Sequence, residues 1–226
     1  MTAMRVLQDR ARPDRRAPAL LVLLPGALQQ PEQLLAQGFV EDVRHRGLAL
    51  DMMLADPGLG FIGEASDSSA TQRLEALLAP ERTHYPTIWL AGISLGGFMA
   101  MAHAARHPHG AQGLCLLSPY PGNRLLTNAI VAAGGPAAWA AAAAVDHGDD
   151  EQHVWRWLAR DGASTMPQLH FGYAAQDRFA AGQRLMAGML PPAQVDVIDG
   201  DHDWPTWRVL WNNFLDRHGA GIGGQG

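Results

Sequence analysis

From Thr87 to Met101 the chain reads as a short apolar strand, a G-x-S-x-G turn at Gly92–Gly96 and the opening of a helix. Such a segment leaves few folds open. A strand that turns straight into a helix must lay that helix back against its own sheet. Glycines two before and two after Ser94 suit a place where two backbones come too close for a Cβ. The turn also carries chemistry. A serine hydroxyl is a poor nucleophile in water, but a good one where a tight turn lifts Oγ clear of the backbone and within reach of a histidine. Ser94 is therefore the expected nucleophile.

The rest of the chain alternates in the same way. Leu20–Leu24 is a continuous apolar run, as in a strand covered on both faces. Pro31–His45 has Leu34, Leu35, Phe39, Val40 and Val43 at helical spacing. Leu48–Leu54 predicts a strand, and Ser66 or Asp67 caps a helix running to Leu78. Thr87–Leu90 leads into the serine turn and Phe98–Arg106 out of it. Gly113–Leu117, Gln168–Gly172 and Gln194–Ile198 are further strands, with a helix over Ala180–Met189 between the last two. Trp204–Arg217 closes as an amphipathic helix. Strands separated by helices predict an α/β fold, a mostly parallel central sheet with helices on both faces. Residues 120–161 break the alternation with Pro121-Gly122, Gly134-Gly135-Pro136 and an alanine-rich run. They are expected to insert two or three helices as a small cap. Residues 1–218 should form one domain, with Gly219–Gly226 a flexible tail.

Composition removes several classes of function. All 17 basic residues are Arg, so neither a lysine Schiff base nor the lysine of a P-loop can form. A net charge of −5 and dispersed arginines speak against a nucleic-acid partner. Cys115, the one cysteine, lies in an apolar run and can form no intrachain disulfide. His103, His107 and His109 lie close together, but without an H-E-x-x-H pattern or an intervening carboxylate. They read as a polar helix end, so no metal and no cofactor is expected. Arg10, Arg12, Arg15 and Arg16 ahead of Ala17–Leu24 imitate an export signal. That apolar run, only about eight residues long, is too short for a bilayer and suits a core strand. The expectation is a cytoplasmic protein with no membrane partner.

A serine nucleophile needs a base and an acid to orient that base. Asp177 follows the strand Gln168–Gly172, and His202 follows Gln194–Ile198, each just past a carboxyl end. Loops at such ends converge on one crevice in an α/β sheet. His170 lies inside an apolar strand and reads as a satisfied core residue. Asp199, Asp201 and Asp203 compete with Asp177, but they sit so close to His202 in sequence that their side chains diverge from it.

The order Ser94, Asp177, His202 resembles the α/β-hydrolase family. The run Gly200–Trp207 is similar to the histidine loop of its serine esterase branches, including feruloyl, formylglutathione and siderophore esterases. The resemblance spans about Ala19 to Arg217 and implies an oxyanion hole of two backbone N–H groups. One would be Leu95; the other would come from the loop after Leu20–Leu24. That loop commonly shows His-Gly in the family and here reads Pro25-Gly26-Ala27-Leu28, so Ala27 is expected, with Leu28 in reserve. Leu28, Tyr120, Asn123 and Trp204 are candidate pocket residues. The implied activity is hydrolysis of a small, uncharged carboxylic ester or thioester through an acyl-enzyme on Ser94. An acyltransferase using the same triad, or a non-catalytic binding protein on the same fold, are the alternatives.

Overall fold

Strand β2 (Ala19–Leu24) carries six apolar side chains and buries all of them, which a strand can do only at the centre of a sheet covered on both faces. Its side chains divide by alternation. Leu20, Val22 and Leu24 enter one apolar cluster, while Ala19, Leu21 and Leu23 enter another on the opposite face. The computed structural model describes residues 4–58, 69–142, 149–160, 164, 166 and 168–223. Around β2 lie β1 (Arg5–Asp9), β3 (Leu50–Asp56), β4 (Thr87–Ile93), β5 (Gly113–Leu117), β6 (Gln168–Ala174) and β7 (Val195–Ile198). They form one sheet in the order β1-β3-β2-β4-β5-β6-β7. Every neighbouring pair is parallel except β1 and β3. The sheet and its flanking helices are an α/β-hydrolase architecture.

One face is covered by α1 (Pro31–Ala36), α2 (Phe39–His45) and α9 (Trp204–Gly223) through Leu34, Phe39, Val43, Trp211 and Phe214. The other carries α3 (Ser69–Glu81), α4 (Leu95–Arg106), α5 (Arg124–Ala132), α6 (Pro136–Ala142), α7 (Asp150–Arg160) and α8 (Ala180–Ala187). Helices α5, α6 and α7 are inserted between β5 and β6. Of these, α6 and α7 bury Trp139, Val154 and Trp155 in the α4-side cluster and extend that layer. The start of α5 instead borders the carboxyl end of the sheet. Residues 143–148, which take in the end of the alanine-rich run and Asp146, lie outside the described residues, as do Ser66 and Asp67, the expected caps of α3.

Three expectations change. The amino-terminal segment contributes an antiparallel edge strand, β1, whose alternating half-exposed residues gave no apolar run to read. The helix expected over Pro31–His45 is two, broken at Gly38 with φ 81°. A Cβ there would meet the Arg208 guanidinium at 2.7 Å, so glycine also makes room for the arginine that pairs with Asp42. The closing helix does not stop at Arg217. It runs to Gly223, burying Ile222, so the flexible tail does not begin at Gly219. Among the described residues no single helix is long and apolar enough to cross a membrane.

His170 on β6 is buried, as expected, but it is not satisfied. Neither ring nitrogen has a hydrogen-bond partner, and Asp196 Oδ2 stands 3.9 Å from Nε2. The ring sits edge-on to Phe214 instead. Burial, with the nearby positive charges of His218 and Arg217, pulls its pKa down from 6.5 to about 3. The unfolded chain therefore holds a proton here that the folded chain refuses. Stability is complete above pH 6.5 and declines as pH falls toward 3, by up to about 1.4 kcal/mol per pH unit for this one proton. His170→Phe removes that proton, so its urea-unfolding free energy should fall less steeply than wild type between pH 6.5 and 4. Equal slopes for the two proteins would rule this out.

Candidate active site

The turn after β4 is fixed by two close approaches. A Cβ on Gly92 would lie 2.3 Å from the Gly96 carbonyl, and a Cβ on Gly96 would lie 2.4 Å from Leu24 O at the end of β2. Only glycine fits at either position, and the first turn of α4 is thereby pressed onto two strand ends. Between them Ser94 takes φ 50° and ψ −113°, a strained conformation for a side-chain-bearing residue. Its backbone is held on both sides, since its N–H donates to Leu117 O at 3.0 Å and its carbonyl accepts from Tyr120 N–H at 2.9 Å. The hydroxyl is thus aimed by main-chain bonds rather than by its own rotamer alone.

His202 Nε2 lies 2.9 Å from Ser94 Oγ, and its Nδ1 lies 2.7 Å from Asp177 Oδ2. An ionised carboxylate can only accept, so Nδ1 carries the hydrogen and Nε2 offers the lone pair that faces the serine hydroxyl. The ring is held between two aromatic edges: Phe179 at 5.1 Å and Trp207 at 5.0 Å, both close to perpendicular. An imidazole fixed this way between a hydroxyl and a carboxylate is the arrangement that activates a serine for attack on an acyl carbon.

Asp177 is fully used. Oδ1 accepts the Phe179 N–H at 2.8 Å, and Oδ2 accepts from Gln183 Nε2 at 3.3 Å as well as from His202. Burial pushes the carboxyl pKa up, but these hydrogen bonds outweigh it and hold it below the ordinary aspartate value. The loop-ordering role and the contact with histidine belong to the same carboxylate. Gln183 in turn donates to Pro119 O at 3.1 Å, tying α8 to the loop after β5. The other aspartates are engaged elsewhere. Asp199 accepts from Gln176, and Asp203 accepts the Thr206 N–H at the start of α9. Asp201 donates its own N–H to Thr206 Oγ1. None of the three bonds His202.

The remaining expected residues fall in different places. Leu95 opens α4, so its N–H has no carbonyl partner within the helix. Pro25–Gln29 forms a tight turn in which Gly26 N–H is taken by Gln29 Oε1 at 2.8 Å. A Cβ on Gly26 would stand 3.5 Å from Ser94 Cβ, so the loop that carries Ala27 passes beside the serine. Leu28 follows at φ 62° with 77% of its surface exposed. Tyr120 and Asn123 line a cavity of about 610 Å³ beside the triad. Trp204 does not line it; that ring packs on Phe39 and Trp207 behind the imidazole. Phe179 and Gln183 escaped the sequence reading. Their one signal was position, two and six residues beyond an aspartate at a strand end.

His103 and His107 also differ from a plain polar helix end. Glu75 of α3 supplies the carboxylate missing from their own helix, 2.8 Å from His103 Nε2 and 3.9 Å from His107 Nδ1. By spacing alone the three could hold a metal ion. Arg82, however, grips both Glu75 oxygens at 2.6 Å. A guanidinium already fills the charge a cation would seek, and the cluster is an ion-pair knot between α3 and α4 at the far end of α4 from Ser94.

Residues 64–217 match the model of the Esterase family. Among solved structures, the S-formylglutathione hydrolase FrmB of Staphylococcus aureus superposes with a TM-score of 0.62 at 14% identity, covering 90% of this chain and 81% of its own. Est1E of Butyrivibrio proteoclasticus gives 0.60 at 14% identity, with 95% and 94% covered. FphF of Staphylococcus aureus, a fluorophosphonate-binding serine hydrolase, gives 0.61 at 12% identity, with 96% and 98% covered. At such identities the likeness is one of fold. No curated protein sequence matches the chain significantly.

Asp177→Asn keeps the size of the side chain but allows its amide to donate to Nδ1, which would turn the wrong nitrogen toward Ser94. Turnover of a p-nitrophenyl ester should fall by roughly 10³- to 10⁴-fold with little change in KM. Steady-state kinetics check this; a loss under tenfold would remove Asp177 from the site.

Proposed function

Because the chain belongs to the Esterase family, we propose that it is a serine hydrolase that cleaves a carboxylic ester or thioester through an acyl-enzyme on Ser94. Ester cleavage is the activity that family membership supports. The observation carrying the finer reading is the hydrogen-bonded row Asp177–His202–Ser94.

In this mechanism Ser94 Oγ attacks the acyl carbonyl as His202 Nε2 takes its proton. Asp177, held ionised by its hydrogen bonds, stabilises the imidazolium and fixes its orientation. The carbonyl oxygen becomes an oxyanion that the N–H groups of Leu95 and Ala27 receive. Loss of one such donor raises the barrier by roughly 3 to 4 kcal/mol. Collapse breaks the bond to the leaving group, which departs with the proton from His202 and leaves the acyl group on Ser94. Water then attacks, giving its proton to His202, and the acid is released as that proton returns to Oγ. The S-formylglutathione hydrolase among the structural neighbours is one reason to include thioesters beside oxygen esters.

A fluorophosphonate phosphorylates an activated serine and leaves an ordinary one untouched. The wild-type protein should label, and Ser94→Ala and His202→Ala should not, while both variants keep the far-ultraviolet circular dichroism of the wild type. Absence of labelling in the wild type would leave a binding protein on a hydrolase fold. Adding alcohols or thiols to a turnover assay separates an acyltransferase from a hydrolase, since only the former diverts most of the acyl group from water.

A further inference from the structure

The cavity beside the triad is walled by the loop after β5, the start of α5 and the start of α8. A Cβ on Gly182 would meet the Pro121 ring at 2.7 Å, so α8 and the β5 loop meet directly at its floor. Two aromatic rings separate it from the catalytic row. Tyr120 and Phe179 meet edge-on at 5.5 Å, and Phe179 is the ring that touches His202. The cavity therefore begins one side chain away from the base.

Its charge is unusual for a chain with a net charge of −5. Arg124 and Arg178 both line it, one from α5 and one from the loop leading into α8. Among the described residues neither makes an ion pair, and no carboxylate lines the walls. Arg178 is steadied from below, with its guanidinium carbon 4.9 Å from the Phe179 ring centroid. Glu151 is buried behind the wall, where a Cβ on Gly122 would lie 3.3 Å from its Oε2. It accepts from Tyr120 Oη at 3.1 Å and from the backbone and side-chain nitrogens of Asn123 at 3.0 and 2.6 Å. Those bonds hold Tyr120 and Asn123 in place, while Glu151 itself does not line the cavity. Asn128 adds a neutral polar side chain to the lining. Two exposed guanidinium groups lining one concave space from different elements can together receive a planar or tetrahedral anion.

Resting on the serine-hydrolase reading above, we propose that the substrate is an ester or thioester bearing a carboxylate or phosphate, and that Arg124 and Arg178 bind this anion while the carbonyl lies at Ser94. This replaces the expectation of an uncharged acyl substrate. Phe179 then has two faces of use, one steadying Arg178 and one edge steadying His202, so substrate binding and the base share a single ring.

The test compares esters that differ only in charge. One arm places the anion on the acyl side: p-nitrophenyl hemiglutarate and hemiadipate against their methyl-capped counterparts. The second arm places it on the leaving group: the butyrate ester of 4-hydroxybenzoate against that of its methyl ester. Wild-type kcat/KM should favour the anionic member of one arm by about tenfold or more. That ratio should fall toward one in the double variant Arg124→Gln/Arg178→Gln, drop below one in Arg178→Glu, and return in Arg178→Lys. A ratio near one in both arms, or one unchanged in the double variant, overturns the proposal. If fluorophosphonate labels Ser94 while the ratios stay flat, only the anion site is lost. Should no ester turn over, calorimetric binding of glutarate and of inorganic phosphate to Ser94→Ala decides the question. Binding that the double variant abolishes supports the site, and its absence in Ser94→Ala refutes it.

Discussion

The contact of bare backbone on bare backbone at Gly92 and Gly96 governs the rest of this molecule. Because neither position carries a Cβ, α4 starts within van der Waals reach of the ends of β2 and β4. That approach bends Ser94 into its strained conformation. It also brings the loop carrying Ala27 alongside Leu95, and lets the carbonyl of Ser94 accept from Tyr120. The pocket wall and the reactive hydroxyl are consequently parts of one main-chain arrangement. The strain at one residue is held by main-chain hydrogen bonds to the end of β5, to the loop after it and to the first turn of α4.

What the sequence disclosed and what it hid follow from the range of the signals. The elbow was legible because everything that defines it lies within a dozen residues: an apolar strand, two glycines, an apolar helix start. The two other members of the row were legible through topology, since residues just beyond parallel strands face one crevice. Their environment was not. Phe179 and Gln183 matter through contacts with groups 23 and 64 residues away, Trp207 reads as one of many core tryptophans, and nothing in a periodicity predicts which aromatic edges will meet an imidazole. The Glu75–His103 pair joins two helices across 28 residues, so a search for ligands within one helix could not find it. Edge strand β1 was missed because half of its residues face solvent. The glycine-rich end looked unstructured because composition alone cannot report that Gly219 packs on Leu48, where a Cβ would meet Cδ1 at 2.8 Å.

Burial divides the ionisable groups by purpose. His103 and His170 are pushed toward the neutral form by burial, to about 4 and about 3 respectively, and both lie away from the reactive end. Asp177 is buried too, yet it stays on the ionised side because three donors converge on it. Donors surround Asp177, whereas His170 has no acceptor among the described residues, and burial outweighs the one bond that His103 makes to Glu75. A carboxylate can be kept charged inside a protein when backbone and amide donors surround it, whereas deep burial drives an imidazole to its neutral form.

The geometry of α9 has a consequence for the history of each molecule. His202 lies 108 residues after Ser94, and the loop that carries it is braced by a helix reaching Gly223. A ribosome adding residues at an ordinary pace takes on the order of ten seconds to cover that stretch. Through this interval the elbow can fold against β2 and β4, but its hydroxyl has no proton acceptor. Until His202 and its brace have emerged, the hydrogen-bonded row Asp177–His202–Ser94 is incomplete in each newly made chain.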